Sequence, residues 1–283
     1  MEYVTLNNGL KMPILGYGVF QIPDLEECER CVLDALDVGY RLIDTAQGYG
    51  NERAVGKAIK KSGVPREELF ITTKLWISEY GYEKTKKSIE GSLERMQLDY
   101  IDLLLIHQPF NDYYGAYRAM EEFYKAGKLK AIGVSNFYPD RLVDFIHFNE
   151  IVPQVNQVEV HPFHQQEVAH EVMKRKNVQI QAWAPFAEGK HNLFTNELLM
   201  EIGDKYGKTP AQVTLRSLIQ RGISVIPKTV NRDRMVQNMN VFDFELSEND
   251  MERIRTLDIE DSSFFSHRDS DQVERLVNFV REF

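Results

Sequence analysis

Four residues of this 283-residue sequence could together move a proton at a reacting oxygen: Asp44, Tyr49, Lys74 and His107. They supply a carboxylate, a phenol, an ammonium and an imidazole. That set suits carbonyl reduction. Hydride addition puts negative charge on the carbonyl oxygen, and a proton donor must meet it. A tyrosine, with an ordinary pKa of about 10, donates poorly on its own. A neighbouring ammonium stabilises the phenolate and is expected to lower that value. A carboxylate beside the lysine keeps it charged and aimed, and an imidazole can donate a second hydrogen bond to the substrate oxygen. The expected roles are Tyr49 as acid, Lys74 as its tuner, Asp44 as the lysine's anchor and His107 as orienter. Singly, each has an ordinary alternative: a helix cap, a packed loop tyrosine, a solvated lysine, a core histidine. Their joint placement is what argues for a site.

That placement comes from the elements around them. Eight short apolar runs, each followed by a helical pattern, lie at 15–19, 41–43, 69–73, 101–106, 130–134, 154–158, 178–182 and 223–226. Several are almost continuously apolar, as strands buried on both faces are. Strand–helix–strand units in one sheet are parallel and right-handed. About eight of them predict an α/β fold of the (β/α)8 TIM-barrel type, with an open doubly wound sheet as the alternative. In a barrel the site lies at the C-terminal ends of the strands. There stand Asp44 and Tyr49, Lys74 and Trp76, His107, Ser135 and Asn136, Gln157, Trp183, and Lys228 and Thr229, in strand order.

Local punctuation supports the elements. Asn7-Asn8-Gly9 predicts a hairpin turn between Val4–Leu6 and Leu10–Met12. Asn51 is expected to cap a helix striped by Ala54, Val55, Ala58 and Ile59 and ended by Gly63. Thr209, Pro210 and Gln212 read as a capping box with a first-turn proline. Two pieces look like additions: 185–206, and a tail after Asn240 with a helix near 247–257 and then an irregular aromatic segment.

Composition narrows the class. Hydrophobic residues make up 43%, enough for a large core. Lys plus Arg number 34 against 43 Asp plus Glu, a net charge of −9. Such a surface suits neither a nucleic-acid backbone nor an anionic membrane. No basic-then-apolar leader and no spanning stretch is apparent, so a cytosolic chain with one domain over 1–283 is expected. Cys28 and Cys31 are read as two small residues on a helix. Glu159, His161 and His164 are read as structural, and no metal site is expected.

The motifs bear a family likeness. LIDTAQGYGNE at 42–52 resembles the aldo-keto reductase signature, ITTKLW at 71–76 that family's lysine strand, and DLLLIHQP at 102–109 its histidine segment. GVSNF at 133–137 and VIPKTVNRDRMVQN at 225–238 are similar to its nicotinamide and adenosine-phosphate segments. The likeness runs the length of the chain, toward the bacterial branch of 2,5-diketo-D-gluconate reductases. It implies a barrel closed at the bottom by the hairpin, the tetrad Asp44, Tyr49, Lys74 and His107, and a usually monomeric enzyme acting on small carbonyl compounds. It also implies a nicotinamide cofactor laid across the barrel mouth. Gly16 and Gly18 begin a G-x-G, but Gln21 stands where a third glycine would complete a Rossmann fingerprint. By the likeness, Ser135, Asn136 and Gln157 hold the carboxamide and Trp183, where many members have tyrosine, stacks on the ring. Lys228, Thr229, Arg234 and Asn238 meet the adenosine end. Two cations near a 2′-phosphate favour NADPH over NADH. Phe20 and Trp76 are the implied apolar walls of the substrate pocket. Gln108 departs from the tryptophan common after the histidine, and Phe264, Phe265 and His267 are placed to fold over the mouth. A non-catalytic NADPH binder and a Schiff-base enzyme using Lys74 are the rival readings.

Overall fold

The Asn-Asn-Gly turn folds the start of the chain back on itself. In the computed structural model, which describes residues 2–279, β1 (Tyr3–Thr5) and β2 (Lys11–Pro13) pair antiparallel, with Val4 opposite Met12. Gly9 takes the left-handed φ of 85°. The asparagines also staple the hairpin to later strands. Asn7 Nδ2 donates to Pro153 O and Asn177 O, and Asn8 Nδ2 to Lys130 O, each at 3.0 Å.

Strands and helices then alternate. First come β3 (Tyr17–Gly18), α1 (Leu25–Val38), β4 (Leu42–Asp44), α2 (Glu52–Ser62), β5 (Phe70–Leu75) and α3 (Tyr82–Met96). Next are β6 (Ile101–Ile106), α4 (Tyr113–Lys125), β7 (Leu129–Ser135), α5 (Pro139–His147), β8 (Val155–Glu159), α6 (Glu167–Arg175) and β9 (Gln179–Trp183). Both α7 (Glu197–Tyr206) and α8 (Pro210–Gln220) precede β10 (Ser224–Val225). After it come α9 (Arg232–Met239), α10 (Glu248–Arg255) and α11 (Ser270–Val277).

Strands β3 to β10 form one sheet in sequence order with every pair parallel. Leu15 pairs in parallel with Val225, and Gly16 N donates to Val225 O at 2.8 Å. The first strand thus meets the last, giving a (β/α)8 barrel rather than an open sheet. Strand periodicity sorts the core. Leu103 and Leu105 of β6 join Leu42, Phe70, Ala131 and Val155 in the inner cluster, which Leu6 and Met12 of the hairpin plug. Leu104 and Ile106 belong to the outer cluster under the helices. The inner face of α1 buries Cys28 and Cys31 as free thiols. Thr209 and Gln212 form the reciprocal capping box of α8.

Three expectations change. Asn51 occupies the N-cap position of α2 but makes no capping bond. Its side chain accepts from Thr45 Oγ1 at 2.7 Å and donates to Val19 O at 2.9 Å and Ile22 O at 3.2 Å. A fully buried amide must satisfy its own polar atoms, and here tertiary partners outcompete the helix end. The tail is not wholly irregular either, because Asp269 caps α11. The strands also reach further into polar sequence than the apolar runs: β4 ends on Asp44, β7 on Ser135 and β9 on Trp183. The addition at 185–206 has its own small core, in which Ala187, Leu193, Leu199 and Ile202 pack with Phe163, Val213, Leu246 and Ile254.

Candidate active site

Neighbouring strand ends bring three of the four acid–base groups together, and a turn brings the fourth. Asp44 ends β4, Lys74 lies in β5 and His107 directly follows β6. Tyr49 closes a one-turn 3-10 segment, Gln47–Tyr49. Gln47 locks that turn: its Nε2 donates to Ser88 Oγ at 2.7 Å and Ser92 Oγ at 2.9 Å, and its Oε1 accepts from Trp76 N at 3.0 Å.

Lys74 is 0% exposed and Asp44 2%. The lysine Nζ donates to Asp44 Oδ1 at 2.5 Å, Thr45 O at 2.9 Å and Tyr49 OH at 3.2 Å. Its three protons are therefore all used. Asp44 Oδ2 accepts from Gln157 Nε2 at 2.8 Å, across 113 residues of sequence. The His107 ring lies edge-on to Tyr49 at 5.8 Å and to Trp76 at 5.1 Å.

The electrostatics differ from expectation at one group. Burial pushes the Tyr49 phenol above its ordinary value, and the Lys74 ammonium only partly offsets this. The expected net lowering is thus overturned, since loss of water outweighs one cation. Burial works against the charge on Lys74 too, but Asp44 and Tyr49 outweigh it and hold the ammonium above its usual range. His107 is held well below 6.5 by burial and then by Lys74 and His267, so it is neutral. Its Nδ1 is buried without a partner among the described residues. A bare nitrogen is cheaper to orphan there than an N–H, which places the proton on Nε2.

The remaining site residues line the same end of the barrel. Ser135 Oγ donates to Gln157 O at 2.7 Å. Asn136 Nδ2 donates to His107 O at 3.1 Å, and Trp183 Nε1 donates to Asn136 Oδ1 at 2.9 Å. The ring of Phe20, 50% exposed, lies 4.9 Å from that of Tyr49. Lys228 and Thr229 follow β10, and Arg234 stands exposed in the first turn of α9, whose N-cap is Asn231. Asn238 is buried in the last turn. Arg232 is paired with Asp37, whereas among the described residues Lys228 and Arg234 have no carboxylate partner. The tail does cross the mouth. Phe279 O accepts from Trp76 Nε1 at 2.8 Å, Phe264 lies 5.3 Å from Trp183, and His267 reaches Gln108 at 2.7 Å. Glu159 is committed to holding that tail, accepting from Ser262 Oγ at 2.6 Å and Ser263 N at 2.8 Å, and it also meets His161 Nε2 at 2.8 Å.

Residues 14–259 match the model of the aldo/keto reductase family. The chain belongs to that family. This aldo-keto reductase is 47% identical over 257 residues to glyoxal reductase of Bacillus subtilis, covering 90% of this chain and 92% of the relative. Among solved structures it superposes on MGS-M4, an aldo-keto reductase from a Medee basin deep-sea metagenome library, with a TM-score of 0.91 at 44% identity (95% and 99% of the two chains). A Bombyx mori aldo-keto reductase in complex with NADP matches with a TM-score of 0.89 at 31% identity, covering 96% of each chain. Among the described residues, no helix of this oxidoreductase is long and apolar enough to cross a membrane.

Several participants escaped the sequence reading. Thr45 and Gln47, inside the signature run 42–52, and Gln181, outside every quoted motif, act through backbone or amide contacts that residue type alone does not reveal; Gln181 Oε1 accepts from Gln157 Nε2 at 2.8 Å. Tyr80 brackets Gln108 by donating to its carbonyl at 3.0 Å and accepting from its N–H at 2.9 Å. One signal was available: Asn156, Gln157 and Glu159 crowd polar groups into a buried strand, which demands partners.

Proposed function

We propose that this aldo-keto reductase passes a hydride from NADPH to the carbonyl of small aldehydes, ketones or keto sugars, giving alcohols. One observation carries the reading: Lys74 Nζ donates to the oxygen of Tyr49 while bonded to Asp44. An ammonium is donor-only, so the phenol must point its own proton elsewhere, toward the mouth. The raised phenol value keeps that proton in place until a stronger base, the developing alkoxide, is present. As charge passes to the phenol oxygen, the fixed ammonium stabilises it without reorganisation. His107, neutral and protonated on Nε2, donates to the same substrate oxygen. Lys74, held charged, is a poor nucleophile for a Schiff base.

The residues present fit a nicotinamide dinucleotide phosphate, which when bound supplies the hydride. Gln157 spends its amide nitrogen on Asp44 and Gln181, which leaves its oxygen to accept from a carboxamide. Asn136 and Ser135 stand beside it. Trp183, held by its own N–H on Asn136, offers a ring face for stacking. Lys228 and Arg234 leave two cations for a 2′-phosphate, with Thr229 and Asn238 on the same segment. Phe20, Trp76 and Gln108 line the substrate side. The NADP complex of the silkworm enzyme and the name of the Bacillus relative support this reading. We further propose that 1–283 acts as one barrel unit, monomeric and cytosolic. NADPH consumption over methylglyoxal, aromatic aldehydes, aldoses and keto acids tests the activity. Tyr49→Phe should abolish turnover while leaving NADPH fluorescence quenching nearly intact. Full turnover by that variant would remove Tyr49 as the acid.

A further inference from the structure

The tail supplies a group whose use the tetrad does not explain. His267 Nε2 lies 2.7 Å from Gln108 Oε1, packed among Phe110, Tyr138 and Phe265. Its position is fixed from two sides: its backbone N donates to Tyr138 OH at 3.1 Å, and Glu159 grips the tail at Ser262 and Ser263.

Donor logic fixes the direction of every bond in this chain. Indole N–H can only donate, so the bond from Trp183 sets the oxygen of Asn136 toward it. The Asn136 nitrogen then faces Gln108 Oε1, at 3.3 Å. An oxygen that accepts from Asn136 must also be the acceptor from His267, which puts the histidine proton on Nε2. Burial holds His267 down to about 4, so it is a neutral donor across the working range. Both contacts fall on the oxygen of Gln108. Its amide nitrogen, with two protons, has no partner among the described residues, although the residue is only 6% exposed. The nitrogen is not one of the buried atoms left without a partner, so it is a part of Gln108 that solvent reaches, a donor open to a ligand's acceptor. Asn136 Nδ2 also donates to His107 O at 3.1 Å, so one amide ties Gln108 to the strand end that carries the imidazole.

We propose that Gln108, aligned by His267, reads a second oxygen on the carbon next to the reacting carbonyl, and so selects 1,2-dicarbonyl and α-hydroxycarbonyl substrates. The inference rests on the carbonyl-reductase reading above and deepens it. His267 is a positioning residue: it touches Gln108, and Gln108 touches the substrate.

The test compares methylglyoxal with propanal, which share three carbons and differ in the second oxygen. The readout is the ratio of their kcat/KM values with NADPH, in the full-length enzyme. His267→Phe keeps the ring and its aromatic packing but removes the N–H. It should lower the ratio about fivefold, the usual worth of one neutral hydrogen bond. Gln108→Leu should do the same. His267→Gln places an N–H at the same ε position and should restore most of the ratio. Equal losses on both substrates would mark a merely structural effect and overturn the proposal, as would a ratio unchanged in His267→Phe while Gln108→Leu lowers it. Failure of the wild type to oxidise NADPH with any carbonyl would instead overturn the functional reading itself. Thermal melting of each variant shows that it is folded before rates are compared.

Discussion

Replacing Lys74 by Met removes a charge and three hydrogen bonds at nearly constant volume, and its cost divides into two separable parts. The first is stability. Asp44, 2% exposed, loses the ammonium at 2.5 Å and keeps, among the described residues, the Gln157 amide at 2.8 Å. Removing one partner of a buried pair costs about 3–5 kcal/mol, and the surviving amide argues for the lower end, about 3 kcal/mol. The second is rate. The ammonium at 3.2 Å from the phenol oxygen is a preorganised donor to developing charge. Losing such a donor lowers kcat by about 10²–10³. The double variant Asp44→Asn, Lys74→Met separates these parts. Its neutral amide needs no counterion, so stability should return to within about 1 kcal/mol of the parent. Its kcat should stay as low as that of the single variant. Urea unfolding gives the first quantity, and initial rates at saturating NADPH and carbonyl give the second. A single variant that keeps kcat within about threefold of the parent would refute the role of Lys74. So would a double variant whose rate recovers along with its stability.

Three further outcomes follow from the same structure. His107 titrates below 6.5 and Tyr49 above 10, so the imidazole gains its second proton only at acid pH and the phenol loses its proton only at alkaline pH. The kcat/KM for reduction should therefore be level between about pH 6.5 and 10, and a limb near pH 8 would contradict both directions. Lys228→Ala or Arg234→Ala should raise KM for NADPH about tenfold while leaving that for NADH nearly unchanged, since a charge-assisted bond is worth about 1.5 kcal/mol or more; equal loss with both cofactors would remove the 2′-phosphate from the account. Gly56→Ala should lower stability by about 2–3 kcal/mol, because its Cβ would lie 2.1 Å from Met96 O, a backbone atom that cannot swing aside. Gly63→Ala, at a φ of 68° in open space at the end of the same helix, should cost only about 1 kcal/mol, and urea midpoints that reverse this order would refute the packing argument.

The barrel and the placement of Asp44, Lys74 and His107 were legible because both depend on short-range pattern. Apolar runs mark strands, and a polar residue at the end of one in a parallel barrel has the mouth to face. The same pattern misjudged where strands stop, since polarity reports the surroundings of a side chain while the ladder is made by backbone groups indifferent to it; Asp44, Ser135 and Trp183 are still paired. Asn51 shows a second kind of limit. Its capping preference is a local property, but Val19 O and Ile22 O, about thirty residues earlier, are stronger claimants once the site is dry. Tyr49 shows a third. Its lysine neighbour was foreseen correctly, and the sign of the net shift was not, because the shift depends on how much water the fold removes rather than on which groups touch. That reversal alters the chemistry expected of the phenol. A tyrosine lowered toward neutrality would lose protons before substrate arrives. One raised by burial and touched by an ammonium holds its proton in the resting site and yields it only to an oxygen more basic than itself, so the burial that opposes ionisation ties proton release to substrate reduction.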